Sequence, residues 1–171
     1  MKWSFRQANI LDCPADILIC SANVGLNLTG GVGGEIMCRH GDAMQEELHG
    51  YLKQRGIRNV QPGEVVRVSP CGTHFRYVLH AVAIDGFYDS SPELVQSTVQ
   101  RALELAASEG ARTVALTALA TGYGPFTMPQ FARAIQPLLS LDFHPIEEVI
   151  ICVQKDFEVD QLNELLRDST R

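Results

Sequence analysis

Long hydrophobic runs are missing from this 171-residue chain. No stretch approaches the roughly 18 apolar residues that span a bilayer. No apolar segment of the signal-peptide kind follows Met1-Lys2; Trp3-Ser4-Phe5-Arg6-Gln7 instead alternates like an edge or surface strand. Basic residues are also in short supply. Against 20 Asp and Glu there are 14 Lys and Arg, a net charge of −6, which argues against a broad non-specific nucleic-acid surface. The five cysteines, Cys13, Cys20, Cys38, Cys71 and Cys152, form no C-x-x-C and no zinc pattern with a histidine. No metal and no cofactor is expected, and the thiols read as reduced, in a cytoplasmic compartment. Two familiar phosphate loops are absent as well: no glycine run ends in the Lys-Ser/Thr of a Walker A motif, and none has G-x-G-x-x-G spacing.

What is present is an alternation of strand and helix signals. Apolar runs predict strands over Trp3 to Ala8, Ile17 to Ile19, Glu64 to Val68, Tyr77 to Ile84, Thr113 to Leu116 and Val149 to Val153. The last of these is apolar on both faces, as in an interior strand covered by helices on either side. Helical periodicity predicts one helix from Gly34 to about Arg55, with Ile36, Met44, Leu48 and Leu52 inward and Gly56 as its stop. A second opens on Ser90-Ser91-Pro92-Glu93 and is stopped by Gly110; its stripe is Leu94, Val95, Val99, Ala102, Leu103 and Ala106. A third runs from about Met128 to Leu139, frayed by Pro137, and a fourth from about Asp160 to Asp168. With 46% hydrophobic content and no repeats or linkers, residues 1–171 read as a single α/β domain, expected to be a monomer.

The chemistry concentrates in two glycine turns. Asp16 to Asn23 is a buried strand that empties into Leu26-Asn27-Leu28-Thr29-Gly30-Gly31-Val32-Gly33-Gly34, with a helix behind it. Glycines let backbone N–H groups crowd a ligand where a Cβ would collide, and a helix N-terminus favours an anion such as phosphate. The second turn, Thr121-Gly122-Tyr123-Gly124-Pro125-Phe126, follows the strand at Thr113 to Leu116 by the same logic. Two such loops on neighbouring strand ends can grip a diphosphate from both sides. Tyr123 offers a ring to stack on a sugar or base; Phe126 offers the same, or packs in the core.

These blocks resemble the macrodomain family, whose members bind ADP-ribose. The family's Asn-Ala-Ala-Asn and Gly-Gly-Gly-Val segments are similar to Cys20-Ser21-Ala22-Asn23 and Thr29-Gly30-Gly31-Val32 here. Tyr77 to Val82 is similar to its central strand, and Thr117 to Gly124 to its second phosphate loop, one residue shorter. The order and spacing match from about Trp3 to Val153. The resemblance implies a three-layer α/β/α fold, with a mixed, mostly parallel sheet of about six strands and helices on both faces. It also implies that Asn23, beside Ala22, hydrogen-bonds the outer ribose, and that Gly30, Gly31, Val32 and Gly33 approach that ribose and the diphosphate. Ala120, Thr121, Gly122, Tyr123 and Gly124 would close from the other side, while Ile10 lines the adenine pocket. Asn9 stands where the family has an aspartate accepting from the adenine 6-amino group. Its carbonyl can accept without the charge, or the residue simply caps a turn before Leu11.

The partner implied is ADP-ribose or an ADP-ribosylated protein, with no membrane. Whether the chain cleaves what it binds stays open. Gly33 stands where hydrolytic members carry aspartate and cannot accept a proton. Cys20 replaces the first asparagine of the pair and reads as a buried thiol more readily than as a nucleophile. Glu35 is taken to serve the helix dipole, and His80, inside a strand, to be a core histidine. Two functions follow. One is a binding module for ADP-ribose; the other is a hydrolase of mono-ADP-ribosylated protein, O-acetyl-ADP-ribose or ADP-ribose 1″-phosphate, with Asn23 orienting ribose and water. A third, drift to another nucleotide or an RNA end, is suggested by Asn9 and the shortened loop.

Overall fold

The computed structural model describes residues 1–166. Six strands, β1 (Lys2–Gln7), β2 (Ile17–Ser21), β3 (Val65–Val68), β4 (Tyr77–Ala81), β5 (Thr113–Thr117) and β6 (Glu148–Val153), form one sheet in the order β1-β6-β5-β2-β4-β3. Every pairing is parallel except β3 with β4.

Successive side chains of a strand point to opposite faces, and both faces here are covered. Along β2, Ile17 and Ile19 enter one core cluster while Leu18 and Cys20 enter the other. Three helices, α3 (Pro92–Ser108), α4 (Met128–Ile135) and α5 (Asp156–Leu166), pack on the face carrying Ile17, Ile19 and Leu79. The opposite face, with Leu18, Val78, Ala115 and Ile150, is covered by α1 (Gly31–His40) and α2 (Ala43–Arg55). The fold is thus the expected three-layer α/β/α arrangement around a mixed, mostly parallel sheet.

The expected single helix over residues 34–55 is corrected to two. Gly41, at φ +76°, ends α1 with its N–H on the Met37 carbonyl at 3.0 Å, and α2 starts afresh after Asp42. A left-handed glycine marks a helix end, not an interior position. The first helix also begins at Gly31, so the glycine cluster forms its opening turn instead of preceding it. The strand expected to reach Ile84 leaves the ladder after Ala81. There Val82 exchanges backbone hydrogen bonds with the turn before β3, its N–H on Glu64 at 2.9 Å and its carbonyl on Gly63 at 2.7 Å. Pro137, without an N–H to donate, turns the end of the third helix into the 3₁₀ segment Gln136–Ser140. The last helix starts at Asp156, ahead of its expected origin, and its expected end at Asp168 lies outside the described residues.

The ladder registers set the four central parallel strands level at their C-terminal ends: Ser21 beside Ala81, Ile19 beside Leu116, Thr117 beside Cys152. The loops leaving those ends share one rim, where open α/β sheets bind ligands.

Candidate functional site

The first wall of the rim cleft is built from the chain leaving β2. Its end is fixed to β5 by the Ser21 N–H, which donates to Thr117 Oγ1 at 3.1 Å. Asn23 then folds its side chain over its own loop: Nδ2 donates to the Asn27 carbonyl at 2.8 Å and Oδ1 accepts from the Asn27 N–H at 3.0 Å. From α2, Gln45 grips the loop twice, accepting from the Leu28 N–H at 2.6 Å and donating to the Leu26 carbonyl at 2.9 Å. Buried Leu26 is held at φ +51° in between. The chain then enters α1 through Gly30 and Gly31, at φ +60° and +50°. In α3 and α4, Ser91 and Thr127 cap the first turn; α1 has no side-chain cap and no acidic residue in its first turn. Its first N–H groups, which a helix leaves without intrahelical partners, and its positive dipole end belong to the cleft.

The second wall is residues 118–124. Thr121 Oγ1 donates to the Ala118 carbonyl at 2.7 Å, and Ala120 sits at φ +67°. Tyr123, 69% exposed, reaches across to the first wall, where a Cβ on Gly30 would overlap its hydroxyl. A third wall, absent from the sequence reading, is the loop 85–89 after β4. Asp85 Oδ1 accepts from the Phe87 and Asp89 N–H groups at 2.8 and 3.0 Å, which turns the chain so that Phe87 is 88% exposed and Tyr88 takes φ +65°. The Tyr88 and Tyr123 rings meet edge-on, centroids 6.4 Å apart. Among the described residues four non-glycines have positive φ, and three of them, Leu26, Tyr88 and Ala120, line this cleft. Backbone strain of this kind collects at ligand clamps.

The second and third walls touch at Gly124, where a Cβ would run into the Tyr88 carbonyl. Neither partner is a flexible side-chain end, so Gly124→Ala is expected to destabilise the fold by about 1–3 kcal/mol. The midpoint of urea unfolding measures this, and an unchanged midpoint would mean that the loops have room to part.

At the far end lies the turn after β1. Asn9 Oδ1 accepts from the Leu11 N–H at 3.0 Å and Nδ2 donates to Glu35 Oε1 at 2.6 Å. Arg39 of α1 binds both Glu35 and Asp12 at 2.7 Å and holds the Asp12 carboxyl below the usual carboxylate range. The turn-capping role read for Asn9 is realised, and Glu35 faces Asn9 and Arg39 outside the first turn of its helix. Lys155 and Glu158 line the same end.

Together these walls enclose a cleft of about 1200 Å³. The structure brings Asn9 and Ile10, Ala22 and Asn23, residues 30–33 and residues 120–124 into its lining. Phe126 is not brought there: it is 5% exposed and packs in the core of the α3–α4 face. Nor does Cys20 offer a nucleophile. It is fully buried in β2, and burial pushes its thiol up to about 12. His80 is buried at the cleft floor between Cys20 Sγ on Nδ1 (3.5 Å) and Met44 Sδ on Nε2 (3.3 Å). A thioether sulfur only accepts, so Nε2 carries the proton and Nδ1 takes the thiol's. Burial pushes this imidazole down to about 4. The loop 85–89 could have been anticipated from its Asp85-Gly86 pair, a turn signal masked by the apolar run before it.

A three-layer α/β/α sheet whose parallel strand ends carry two opposed glycine loops is the macrodomain fold. The Oceanobacillus iheyensis macrodomain, solved as a variant with ADPR, superposes with a TM-score of 0.85 at 18% identity, covering 96% of this chain and 91% of that one. The Trypanosoma brucei macrodomain in complex with ADP-ribose gives 0.80 at 19% identity, over 95% of this chain and 68% of that one. In sequence, a macro domain-containing protein of Streptomyces griseus is 30% identical over 146 residues, 84% of this chain and 82% of the other. One from Streptomyces nogalater is 31% identical over 144 residues, 84% and 80% of the two chains. The Macro domain family model matches residues 19–135. The chain belongs to the Macro domain family.

Proposed function

We propose that this chain binds ADP-ribose, free or attached to protein. The purine lies at Asn9 and Ile10, the pyrophosphate between the N-terminus of α1 and residues 120–124, and the outer ribose at Asn23. One observation carries the reading: the uncapped, glycine-built start of α1 and the second glycine loop stand on opposite sides of one cleft, at the level ends of neighbouring strands β2 and β5. Backbone N–H groups and a helix dipole suit a phosphate anion without help from lysine or arginine, so an acidic chain can hold a dianionic ligand locally. Relatives of the same fold solved with ADPR and ADP-ribose support the choice of ligand. The five free thiols are in keeping with a reducing compartment such as the cytoplasm. Calorimetric titration with ADP-ribose is expected to saturate at one ligand per chain. No heat at millimolar ligand would remove the reading.

A second reading, cleavage of the bond to the outer ribose, draws on a polar recess of about 320 Å³ that continues past Asn23 between Asn27, Asn59 and Asp85. It leaves room for whatever the sugar is joined to. Asn23 would orient the ribose and a water with the N–H and lone pair its loop does not use, and Gly33 contributes no base. Mono-ADP-ribosylated protein decides between the two: label retained after long exposure to a high concentration of the chain restricts the function to binding.

A further inference from the structure

Resting on the ADP-ribose reading above, we infer that Glu35 is the residue that reads the exocyclic amino group of the base, with Asn9 as its neutral partner. The argument begins with the orientation of one side chain. Asn9 Oδ1 accepts from the Leu11 N–H at 3.0 Å, and only the oxygen end of a carboxamide can do so. Its other end is therefore an NH2, and this donates to Glu35 Oε1 at 2.6 Å. Toward a ligand, Asn9 thus presents a donor in its NH2, while its Oδ1 keeps one lone pair beside the Leu11 N–H, an uncharged and weaker acceptor than a carboxylate.

The charged acceptor at this corner stands on α1. Glu35 makes both of its contacts on Oε1, accepting from Asn9 Nδ2 and forming an ion pair with Arg39 Nη2 at 2.7 Å. Among the described residues Oε2 takes no hydrogen bond, so it keeps its lone pairs for a ligand. Arg39 also binds Asp12, in the turn that Asn9 opens, at 2.7 Å, so the guanidinium pins the Glu35 carboxylate to the turn that carries Asn9 and Ile10. Asn9, Ile10 and Glu35 all line the cleft. Charge explains why the two residues occur together. A carboxylate at position 9 would put a second anionic oxygen 2.6 Å from Glu35 Oε1, where like charges repel strongly. A neutral amide at 9 donates instead, and the single negative charge of the corner sits on the helix. The base edge then meets a donor from Asn9 beside an acceptor from Glu35, which matches the ring nitrogen N1 and the 6-amino group of adenine.

The test compares ADP-ribose with its counterpart lacking the 6-amino group, by calorimetry on the full chain. The wild type is expected to bind ADP-ribose about tenfold more tightly than the 6-unsubstituted ligand, the scale of one charge-assisted hydrogen bond at a half-exposed site. In Glu35→Ala that ratio falls to near one, and saturable binding of the 6-unsubstituted ligand shows that the variant is folded. Glu35→Gln, of the same size without the charge, gives an intermediate ratio. Asn9→Asp alone weakens binding of both ligands, and combining it with Glu35→Ala restores the tenfold preference, now through position 9. A tenfold ratio that survives in Glu35→Ala and Glu35→Gln overturns the assignment, as does a wild-type ratio of one. Wild-type chain that binds neither ligand overturns the ADP-ribose reading itself, and this assignment with it.

Discussion

Replacing Gly31 by glutamate is expected to weaken ADP-ribose binding at least a hundredfold while leaving the chain folded. A Cβ built on Gly31 meets no atom within 4 Å, because that side of the residue opens into the cleft. The new side chain therefore projects to where the proposed reading puts the pyrophosphate, in front of the first N–H groups of α1. A carboxylate and a phosphate about 4 Å apart repel by roughly 4 kcal/mol near a protein surface, and the side chain also blocks the amides. Gly31 has φ +50°, so any L-residue there carries roughly 1–2 kcal/mol of backbone strain. The control is Gly31→Ala, which has the strain without the charge. Calorimetry on both variants separates the terms. If Gly31→Glu stays within threefold of wild type, the anion does not lie at this helix end.

The second large effect concerns His80 and pH. Its neutral ring is enclosed by Cys20 and Met44, and burial holds the folded-state value at about 4 against an ordinary 6.5. Between those values the unfolded chain takes up a proton that the folded chain refuses, so stability rises with pH there. The contribution is complete above pH 6.5 and is lost as the pH falls toward 4, a change of about 3 kcal/mol at 1.36 kcal/mol per unit. His80→Leu, apolar and of similar size, removes the titration. Urea unfolding at pH 7, 5.5 and 4 is expected to show the wild type losing stability more steeply than the variant. Parallel pH curves would mean that the imidazole gains its proton inside the fold.

The layers and the two glycine loops were legible because each rests on local pattern. Short continuous apolar runs marked β2, β5 and β6, and Gly30 to Gly34 stood between a strand and a helix in plain view. The break at Gly41 was hidden because Ile36 and Met44 are eight residues apart, a spacing that an unbroken helix shares. The third wall was hidden because the apolar run of β4 continues to Ile84, three residues beyond the ladder, before the turn at Asp85 begins. The pairing of Asn9 with Glu35 could not be read at all. It depends on which end of an amide faces a backbone N–H, and on a helix 26 residues further along the chain. Phe126 shows the reverse: an aromatic ring beside a glycine loop looks like a ligand platform until the core behind it claims it.

The glycines that make room at the start of α1 also leave that turn weak. Each is a poor helix former, by about 1 kcal/mol relative to alanine, and no side chain ties the end down. In the free protein this turn sits at the low end of local stability and opens more readily than the helix behind it. On the reading proposed above, a bound phosphate would supply the cap that the sequence omits, and occupancy and the order of α1 would rise together by mass action.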